Sequence, residues 1–368
     1  MDHLIVGKPT LPDINKFLPH LHKIWDSKAL TNNGKYLQEF EKKLADFLDV
    51  KAVFVFCNAT IALISLIKCL EIKGKIITSP FSFVATGNVI LLSGLKPEFV
   101  DISNMNYNLD PKKLENFSYK DVSAIMPVHV FSKPAFVDDF KNIGLKENIK
   151  IIYDGSHAFG STYKNKSVLS FGNASVVSFH ATKILTTLEG GAIITENKDL
   201  AQRLTDFRNF GISQSGYVNQ IGLNGKLNEI QAAIGILQLD EIKGNLLKRK
   251  EIGLYYRKYL KDIAFLKLPS LIKHHEDNHS YFPVEVINTK KYNREYINNI
   301  LLENNIFCKN YFDPIITNQP IYKKISNQNT CLMNAEKISK KIICLPIYPE
   351  MSLKDVDYIL KVLKSIEN

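Results

Sequence analysis

The sequence predicts an α/β protein with a mostly parallel sheet covered by helices on both faces, followed by a smaller α+β C-terminal domain. Three observations support this prediction. Short apolar segments alternate with helical segments between residues 52 and 195. A long helical stretch then begins at Asn228 and runs to about residue 260. The remaining residues mix short strands with helices, which is typical of an α+β domain.

The first elements are a turn, a helix, a strand and a second helix. Residues 32–34 (Asn-Asn-Gly) form the turn, and the helix that follows reaches Asp49, with apolar residues at helical spacing: Leu37, Phe40, Leu44 and Phe47. Strand 52–56 comes next, and Asn58-Ala59-Thr60 opens helix 61–70. A strand that leads into a helix through capping residues presents free backbone N–H groups, so this junction can bind an anion.

The middle of the chain continues the alternation. We expect elements at the following positions: strands 75–78, 96–100, 122–128, 149–153, 175–179 and 192–195, and helices 83–93 and 134–143. Ligands of such sheets bind beyond the carboxyl ends of the strands. Four chemically useful residues lie at or just after strand ends and can therefore converge: Asn58, Phe83, Asp154 and Lys183.

The last third of the chain is expected to form the second domain. The helical stretch from Asn228 has an apolar side at Ile230, Ala233, Leu237, Leu239 and Ile242, and it can carry the chain from one domain to the next. Beyond it we expect strand 281–286 and helices 293–304, 335–341 and 353–364. The predicted division is a large domain at residues 1–240 and a small domain at 241–368 that includes the linking helix.

Composition and charge are those of an ordinary globular protein, with 45% apolar and 23% charged residues among 368. The net charge of +10 indicates either polyanion binding or a field that attracts anionic small molecules. Basic clusters at 248–250 and 337–341 lie on predicted helices, where solvated helix faces explain them best. No nucleic-acid motif accompanies them, so we expect no nucleic-acid partner.

Cysteine usage indicates a reducing cytoplasm. None of the five cysteines forms a C-x-x-C pair, and the nine histidines show no metal-ligand spacing. The first residues lack the basic start and apolar core of a signal peptide, and no apolar run is long enough to span a membrane. We therefore expect a cytoplasmic protein with no membrane association and no metal.

Lys183 is the strongest chemical signal in the chain. It lies in a polar loop between two apolar strands and before Glu189-Gly190-Gly191, while Asp154 ends an earlier strand. A lysine that can form an imine and an aspartate that can hold a pyridinium nitrogen are the groups that pyridoxal phosphate chemistry needs. Taken singly, a lysine is usually solvated and an aspartate after a strand is often a turn or cap residue. The joint pattern favours the cofactor.

Several motifs resemble the sugar aminotransferases of the DegT/DnrJ/EryC/StrS group. The resemblance covers essentially the whole chain and includes Pro80-Phe81-Ser82-Phe83-Val84-Ala85-Thr86, Asp154-Gly155-Ser156-His157-Ala158-Phe159-Gly160, Ser178-Phe179-His180-Ala181-Thr182-Lys183, Glu189-Gly190-Gly191, and the segments 31–34, 127–131, 222–233 and 345–349. It implies the fold type I of pyridoxal-phosphate-dependent transferases, which is the fold of aspartate aminotransferase.

The resemblance also implies a role for each residue around the cofactor ring. Lys183 would bind the cofactor covalently and shuttle the proton as the catalytic residue. Asp154 would pair with the pyridine nitrogen, and Phe83 would stack on the ring, although core packing is the alternative for Phe83. His157 would lie near the phenolic oxygen, at a position where the family often has glutamine.

The phosphate cup would combine residues of two subunits. The backbone N–H groups of Ala59 and Thr60 and the Ser178 hydroxyl match the family's cup in one subunit. Asn224 matches an asparagine that comes from the other subunit, which implies a homodimer with shared active sites. Lys226 stands where many members have arginine. In a monomer, Asn224 would only cap a loop.

The reaction implied is transfer of an amino group from L-glutamate to C4 of a dTDP-linked 4-keto-6-deoxyglucose, for a surface polysaccharide such as an O-antigen. Lys183 favours transamination, because relatives with histidine there dehydrate sugars instead. Substrate contacts are expected from Lys309 and Tyr311, in a segment that departs from the family at Lys309 and Asp313. Amination at C3, a UDP-linked substrate and a non-catalytic regulator remain the alternatives.

Overall fold

A computed structural model describes residues 3–287, 291–325 and 331–367. The strands of this part of the chain are β1 (Leu4–Ile5), β2 (Val53–Phe56), β3 (Lys75–Thr78), β4 (Lys96–Phe99), β5 (Val122–Met126), β6 (Lys150–Asp154), β7 (Thr162–Tyr163), β8 (Lys166–Ser167), β9 (Ala174–Ser178), β10 (Gly191–Ile194), β11 (Leu266–Lys267), β12 (His275–Glu276), β13 (Phe282–Val286), β14 (Ile306–Phe307) and β15 (Ile342–Leu345).

The helices alternate with these strands through the first half of the chain. They are α1 (Ile14–Ser27), α2 (Lys35–Leu48), α3 (Ala59–Cys69), α4 (Ala85–Leu92), α5 (Val137–Glu147), α6 (Lys198–Phe207), α7 (Glu229–Leu260), α8 (Arg294–Glu303), α9 (Pro320–Ile325), α10 (Met333–Ser339) and α11 (Leu353–Ser365). No helix in the described ranges is long and apolar enough to cross a membrane.

The central sheet has seven strands in the order β2-β10-β9-β6-β5-β3-β4. All neighbours from β9 to β4 run parallel, while β10 runs antiparallel to both β9 and β2. A direct loop joins β9 to β10, and without a crossover helix such a connection returns the chain antiparallel. The predicted mixed, mostly parallel sheet is therefore confirmed, and Lys183 lies in its one direct strand-to-strand loop.

Helices cover both faces of the sheet, as the apolar strands predict. Along β10, Ala192 and Ile194 pack in a core with α2 and α7, while Ile193 packs on the other face in a core with α3 and α6. This alternation is the pleat of a strand that is buried on both sides. Helices therefore cover both faces of the sheet, and the ends of the strands are the part of it that a ligand can reach.

The C-terminal part has its own three-stranded sheet, β11-β13-β15, packed against α8 and α11. Helix α7 joins both cores, since Ile236 packs with the central sheet and Ile252 and Tyr256 pack with the C-terminal cluster. Leu4 also belongs to the C-terminal cluster, and β1 pairs with β14. A division near residue 240, in the middle of α7, remains our proposal.

Several element bounds differ from the prediction. The helix expected at 134–143 begins at Val137, after Phe136 in a left-handed conformation, and it continues to Glu147. The strand expected to reach residue 128 ends at Met126, and the helix expected from 83 begins at Ala85. Helices α1 and α6 and the small sheet β12-β7-β8 have no counterpart in the prediction.

Candidate active site

The candidate site lies where the carboxyl ends of three central strands meet. Asp154 is the last residue of β6, and Ser178 is the last residue of its neighbour β9. Helix α3 begins at Ala59, just beyond the end of β2. Because β10 pairs with both β9 and β2, the loop that carries Lys183 lies between these features.

Lys183 is half-buried in the β9–β10 loop. Its backbone N–H donates to the His180 carbonyl at 2.9 Å, which closes a turn before the side chain. The amine lies 3.5 Å from the Tyr281 hydroxyl oxygen and 5.8 Å from the centroid of that ring. Burial lowers the pKa of Lys183 to about 8, and the negative charge of Asp154 opposes this shift. A lysine in this state can gain and lose a proton near neutral pH.

Asp154 is buried, with 4% of its surface exposed, and hydrogen-bond donors surround its carboxylate. The Thr86 hydroxyl donates to Oδ2 at 2.8 Å, and Ser156 donates to Oδ1 through its N–H at 3.1 Å and its hydroxyl at 2.6 Å. Ser82 extends the network to Thr86 at 2.7 Å. These contacts compensate the burial of the charge and hold the carboxylate in one orientation.

His157 is buried beside Lys183 in an aromatic cluster. The Phe131 N–H donates to His157 Nδ1 at 3.4 Å, and the imidazole is parallel to the rings of Phe131 and Phe312 at 6.3 and 6.0 Å. Burial and the nearby Lys183 charge hold the pKa of His157 well below its usual range. The ring is therefore neutral, and with Nδ1 as acceptor its proton is on Nε2.

The start of helix α3 forms a concave anion site. Asn58 caps the helix, its Oδ1 accepting from the Ile61 N–H at 2.8 Å, which leaves the N–H groups of Ala59 and Thr60 as the helix's free donors. Strand β10 approaches closely at Gly191, where an added Cβ would lie 2.5 Å from the Ala59 nitrogen. The Ser178 hydroxyl, which accepts from the His180 N–H at 3.3 Å, stands opposite Gly191 in the sheet.

Phe83 is a large aromatic residue that remains 61% exposed. It lies between Ser82 and Thr86, whose hydroxyls lead to the Asp154 carboxylate. Plain core packing, the alternative weighed for this residue, does not describe so exposed a side chain. Its ring is available to stack on a flat ligand held by Asp154.

Asn224 forms no side-chain hydrogen bond with these residues within the described part of the chain. Its side chain is exposed in the loop before α7, and no described residue accepts or donates a hydrogen bond to it. The adjacent Gly225 carbonyl accepts from the Cys57 N–H at 2.8 Å, so the loop runs beside the start of α3. Lys226 donates to Asn209 at 3.0 Å and covers the Phe210 ring.

Of the two expected substrate residues, Tyr311 contacts a neighbour of Lys183. Tyr311 packs edge-on against Tyr281 with ring centroids 5.2 Å apart, which links it to the residue beside Lys183. Lys309 is exposed and pairs with Cys344 through the backbone. Asp313 forms ion pairs with Arg294 and Lys340, so its carboxylate is neutralised by neighbours. Although Asp313 departs from the family pattern, it therefore adds little net negative charge that would repel a diphosphate.

The comparison with protein families decides the identity of this arrangement. The model of the DegT/DnrJ/EryC1/StrS aminotransferase family matches residues 13–364. This chain belongs to that family. An aminotransferase of this family uses pyridoxal phosphate, and the expected enzyme class and cofactor are thereby confirmed.

Individual relatives resemble this aminotransferase over almost their entire length. A dTDP-4-amino-4,6-dideoxy-D-glucose transaminase of Shigella dysenteriae is 40% identical over 99% of both chains. A UDP-4-amino-4,6-dideoxy-N-acetyl-beta-L-altrosamine transaminase of Helicobacter pylori is 36% identical over 94% of both. The solved structure of DesI in the presence of its TDP-sugar product superposes with a TM-score of 0.93 at 28% identity, covering 99% of this chain and 92% of the other.

The residues of the aminotransferase fit its cofactor. The buried carboxylate matches the pyridine nitrogen, and the exposed aromatic ring matches the ring face. The amine with the lowered pKa matches the aldehyde, and the unsatisfied helix N–H groups match the phosphate. Asp154, Phe83, Lys183 and the start of α3 would hold these four parts. His157, neutral with its proton on Nε2, can donate to the phenolic oxygen.

Three residues of the site were not assigned from sequence: Thr86, Ser156 and Tyr281. Ser156 had a local signal, because a serine two residues after an aspartate often turns back to it. Thr86 ended a motif that matched the family, yet its partner is 68 residues away. Tyr281 is 98 residues from Lys183 and immediately precedes strand β13 of the C-terminal sheet, so only the tertiary fold brings it to the lysine.

Proposed function

We propose that this aminotransferase moves the amino group of L-glutamate to C4 of dTDP-4-keto-6-deoxyglucose, giving a 4-amino-4,6-dideoxy sugar for a surface polysaccharide. The observation that carries the proposal is the 40% identity, over 99% of both chains, to the Shigella dysenteriae transaminase that is named for this amino sugar. The His180-Ala181-Thr182-Lys183 and Glu189-Gly190-Gly191 motifs point to the same position on the sugar.

Pyridoxal phosphate, when bound, supplies an electron sink for the negative charge that develops at carbon in both half-reactions. Asp154 keeps a proton on the pyridine nitrogen, since a buried carboxylate ion stabilises the positive charge at that atom. Thr86 and Ser156 orient this carboxylate by hydrogen bonds of 2.8 and 2.6 Å. The site therefore maintains the ring in the form that best accepts electrons.

Lys183 moves the proton. With a pKa of about 8, roughly a tenth of the lysine is uncharged at pH 7, enough to act as a base. Its amine takes up the proton that leaves the α-carbon of glutamate, and in the second half-reaction it returns a proton to C4 of the sugar. His157 stays neutral beside it, so no second cation forms in the site.

We also propose a homodimer in which Asn224 of each subunit completes the phosphate site of the other. Two observations support this assembly. Asn224 is exposed and has no described hydrogen-bond partner in its own chain. The same loop exposes apolar side chains, with Ile221 at 91%, Tyr217 at 73% and Val218 at 68%. Exposed apolar residues on one loop are typical of an interface between subunits.

The positive net charge suits an anionic sugar nucleotide. A field from a charge of +10 raises the local concentration of a diphosphate-linked substrate. Lys309 and Tyr311 belong to the C-terminal part of the chain, and we propose that they contact this substrate. The cytoplasm, where sugar nucleotides are made, is the proposed location.

A UDP-linked ketosugar is the second candidate substrate. The Helicobacter pylori relative that is named for a UDP-linked amino sugar is 36% identical. Amination at C3 is disfavoured by the His180–Lys183 and Glu189–Gly191 motifs. A non-catalytic regulator would bind the cofactor without transferring an amine.

The deciding experiment incubates the protein with L-glutamate and a panel of dTDP- and UDP-linked 3-keto and 4-keto sugars. Mass spectrometry detects the exchange of oxygen for nitrogen, and NMR of the product assigns the carbon. We expect the dTDP-linked 4-keto-6-deoxyglucose to turn over with the highest kcat/KM and to carry the amine at C4. A UDP-sugar used preferentially, or amine at C3, would contradict the substrate assignment. If no sugar in the panel receives an amine, the result would support the alternative of a non-catalytic regulator.

A further inference from the structure

Tyr281 contacts the reacting amine but has no role in the proposed cofactor site. Its hydroxyl oxygen lies 3.5 Å from Lys183 Nζ, and its ring centroid lies 5.8 Å from the same nitrogen. The side chain is only 5% exposed. It immediately precedes strand β13 of the C-terminal sheet and reaches the lysine in the β9–β10 loop of the central sheet.

The Tyr281 ring is held firmly in this position. The His157 ring packs against it at 4.7 Å, and the Phe131 and Tyr311 rings meet it edge-on at 6.0 and 5.2 Å. A ring enclosed on three sides has little rotational freedom, so its hydroxyl has one direction. The Tyr281 hydroxyl lies 3.5 Å from the Lys183 amine and also forms a hydrogen bond with the Tyr311 hydroxyl.

The chemistry of the contact is that of a neutral phenol and a titrating amine. Burial raises the pKa of Tyr281 above its usual range, so the hydroxyl keeps its proton throughout the working pH range. The protonated amine donates to the phenol oxygen, and the ring adds a cation–π attraction. Both contacts favour the charged form of Lys183, while burial favours the neutral form.

We propose that Tyr281 is a positioning residue for Lys183, and that its hydroxyl holds the amine during the part of the cycle in which the lysine is not bonded to the cofactor. This inference rests on the proposed transamination, in which Lys183 must be released and then recaptured. The contact breaks no covalent bond and adds no reactant: the lysine proton is only shared with a fixed acceptor. Tyr281 thereby keeps the amine beside Asp154 and ready to return its proton.

The proposal also gives the C-terminal part a role in the chemistry. Tyr311 lies in the proposed substrate segment and contacts Tyr281, which contacts Lys183. A displacement of Tyr311 by a bound sugar would therefore reach the amine through a single intervening ring.

The test compares Tyr281→Phe with the parent protein, using the full chain loaded with pyridoxamine 5′-phosphate, in which Lys183 is free. Trace labelling with acetic anhydride over a pH series, followed by mass spectrometry of the lysine peptides, gives the pKa of Lys183. We expect the pKa to fall by about half a unit in the variant, because the ammonium loses an acceptor. Lys133, whose pKa is also about 8, is the internal control and stays unchanged.

Kinetics provide the second readout. We expect Tyr281→Phe to lower kcat roughly tenfold with little change in KM for the sugar, because a misplaced proton donor slows the chemical step more than binding. The matched control is Tyr256→Phe, which also removes a buried hydroxyl, here one that donates to the Pro346 carbonyl at 3.0 Å. This variant loses thermal stability but keeps the Lys183 titration.

An unchanged or higher Lys183 pKa in Tyr281→Phe would overturn the proposal, whatever its thermal stability. A loss of activity shared equally by Tyr281→Phe and Tyr256→Phe would do the same. The titration requires no sugar nucleotide. A wrong substrate assignment would therefore leave its result intact, and the two failures are distinguishable.

Discussion

Two lysines of this protein have nearly the same acidity but different surroundings. Burial lowers the pKa of both Lys183 and Lys133 to about 8. Lys183 lies in the loop after strand β9, where the Asp154 charge acts on it and the Tyr281 hydroxyl is 3.5 Å from its amine. Lys133 lies in a buried turn, with its amine 3.4 Å from the Ser270 carbonyl and 5.4 Å from the Tyr107 ring.

The comparison shows that a lowered lysine pKa indicates burial and does not by itself indicate a catalytic role. The Asp277 charge partly stabilises Lys133, but its amine is closed off by Tyr107 and the chain around Ser270. Lys183 has an equally lowered pKa beside groups that match each part of a cofactor. The function follows from the neighbours, and four experiments below test that statement in decreasing order of expected effect.

The largest difference between the two sites is expected when each lysine is replaced in turn. Lys183→Ala removes the covalent anchor and the base, so the glutamate half-reaction should slow at least about a thousandfold. Lys133→Met keeps the aliphatic stem and removes only a buried charge, so the same rate should stay within roughly threefold. Single-turnover absorbance of the cofactor measures both. Equal losses in the two variants would abolish the distinction between the lysines.

The second-largest difference is expected when the aspartate near each lysine is replaced. Asp154→Asn removes the negative charge that keeps the pyridine nitrogen protonated, and we expect roughly a hundredfold loss of kcat with the cofactor still bound. Asp277→Asn, near Lys133, disturbs contacts to Ser132 and His279 and should lower the melting temperature while kcat stays within about threefold. A small effect of Asp154→Asn on kcat would show that another group controls the ring nitrogen.

The sequence anticipated the site where its signal is local. Lys183, Asp154 and Ser178 lie at or near strand ends that apolar runs reveal, and the capped start of α3 can be read from Asn58 and the helix that follows. The mostly parallel sheet and the linking helix followed from the same periodicity. These features depend on neighbours in the chain.

The features that were missed depend on neighbours in space. Thr86 and Tyr281 meet Asp154 and Lys183 only after the sheet and the C-terminal part have assembled. Asp313 departs from the family pattern in the sequence, and only the fold shows that it pairs with Arg294 and Lys340, which lie 19 and 27 residues away. Helix α1 was not predicted, although its apolar residues recur at helical spacing, and only one of its residues, Ile24, is buried in a core.

The pH dependence of the glutamate half-reaction should follow Lys183. Because its pKa is lowered to about 8, the amine is protonated below that pH and cannot accept the α-proton of glutamate. The rate should therefore rise about tenfold per pH unit up to about 8 and then level off. His157, whose pKa lies well below its usual range, should add no inflection near neutral pH. Stopped-flow measurements on the parent protein over a pH series provide the profile. A rate that is independent of pH below 8 would contradict the role of the free amine.

The smallest effect is expected for the support of Asp154. Thr86→Val keeps the shape of the side chain and removes the 2.8 Å hydrogen bond to the carboxylate. A bond of this kind contributes about 1 kcal/mol, so kcat should fall roughly fivefold. The control is Thr205→Val on helix α6, which removes a hydroxyl bond to the Ala201 carbonyl and should leave kcat unchanged. If both variants keep the parent kcat, the Thr86 hydroxyl has no part in orienting Asp154.

The most direct test is to identify which lysine holds the cofactor. Borohydride reduction of the resting protein fixes pyridoxal phosphate to that side chain, and peptide mass spectrometry locates the added mass. We predict the modification on the peptide with Lys183 and none on the peptide with Lys133, although burial lowers the pKa of both to about 8. Modification of Lys133, or of any lysine other than Lys183, would contradict the account.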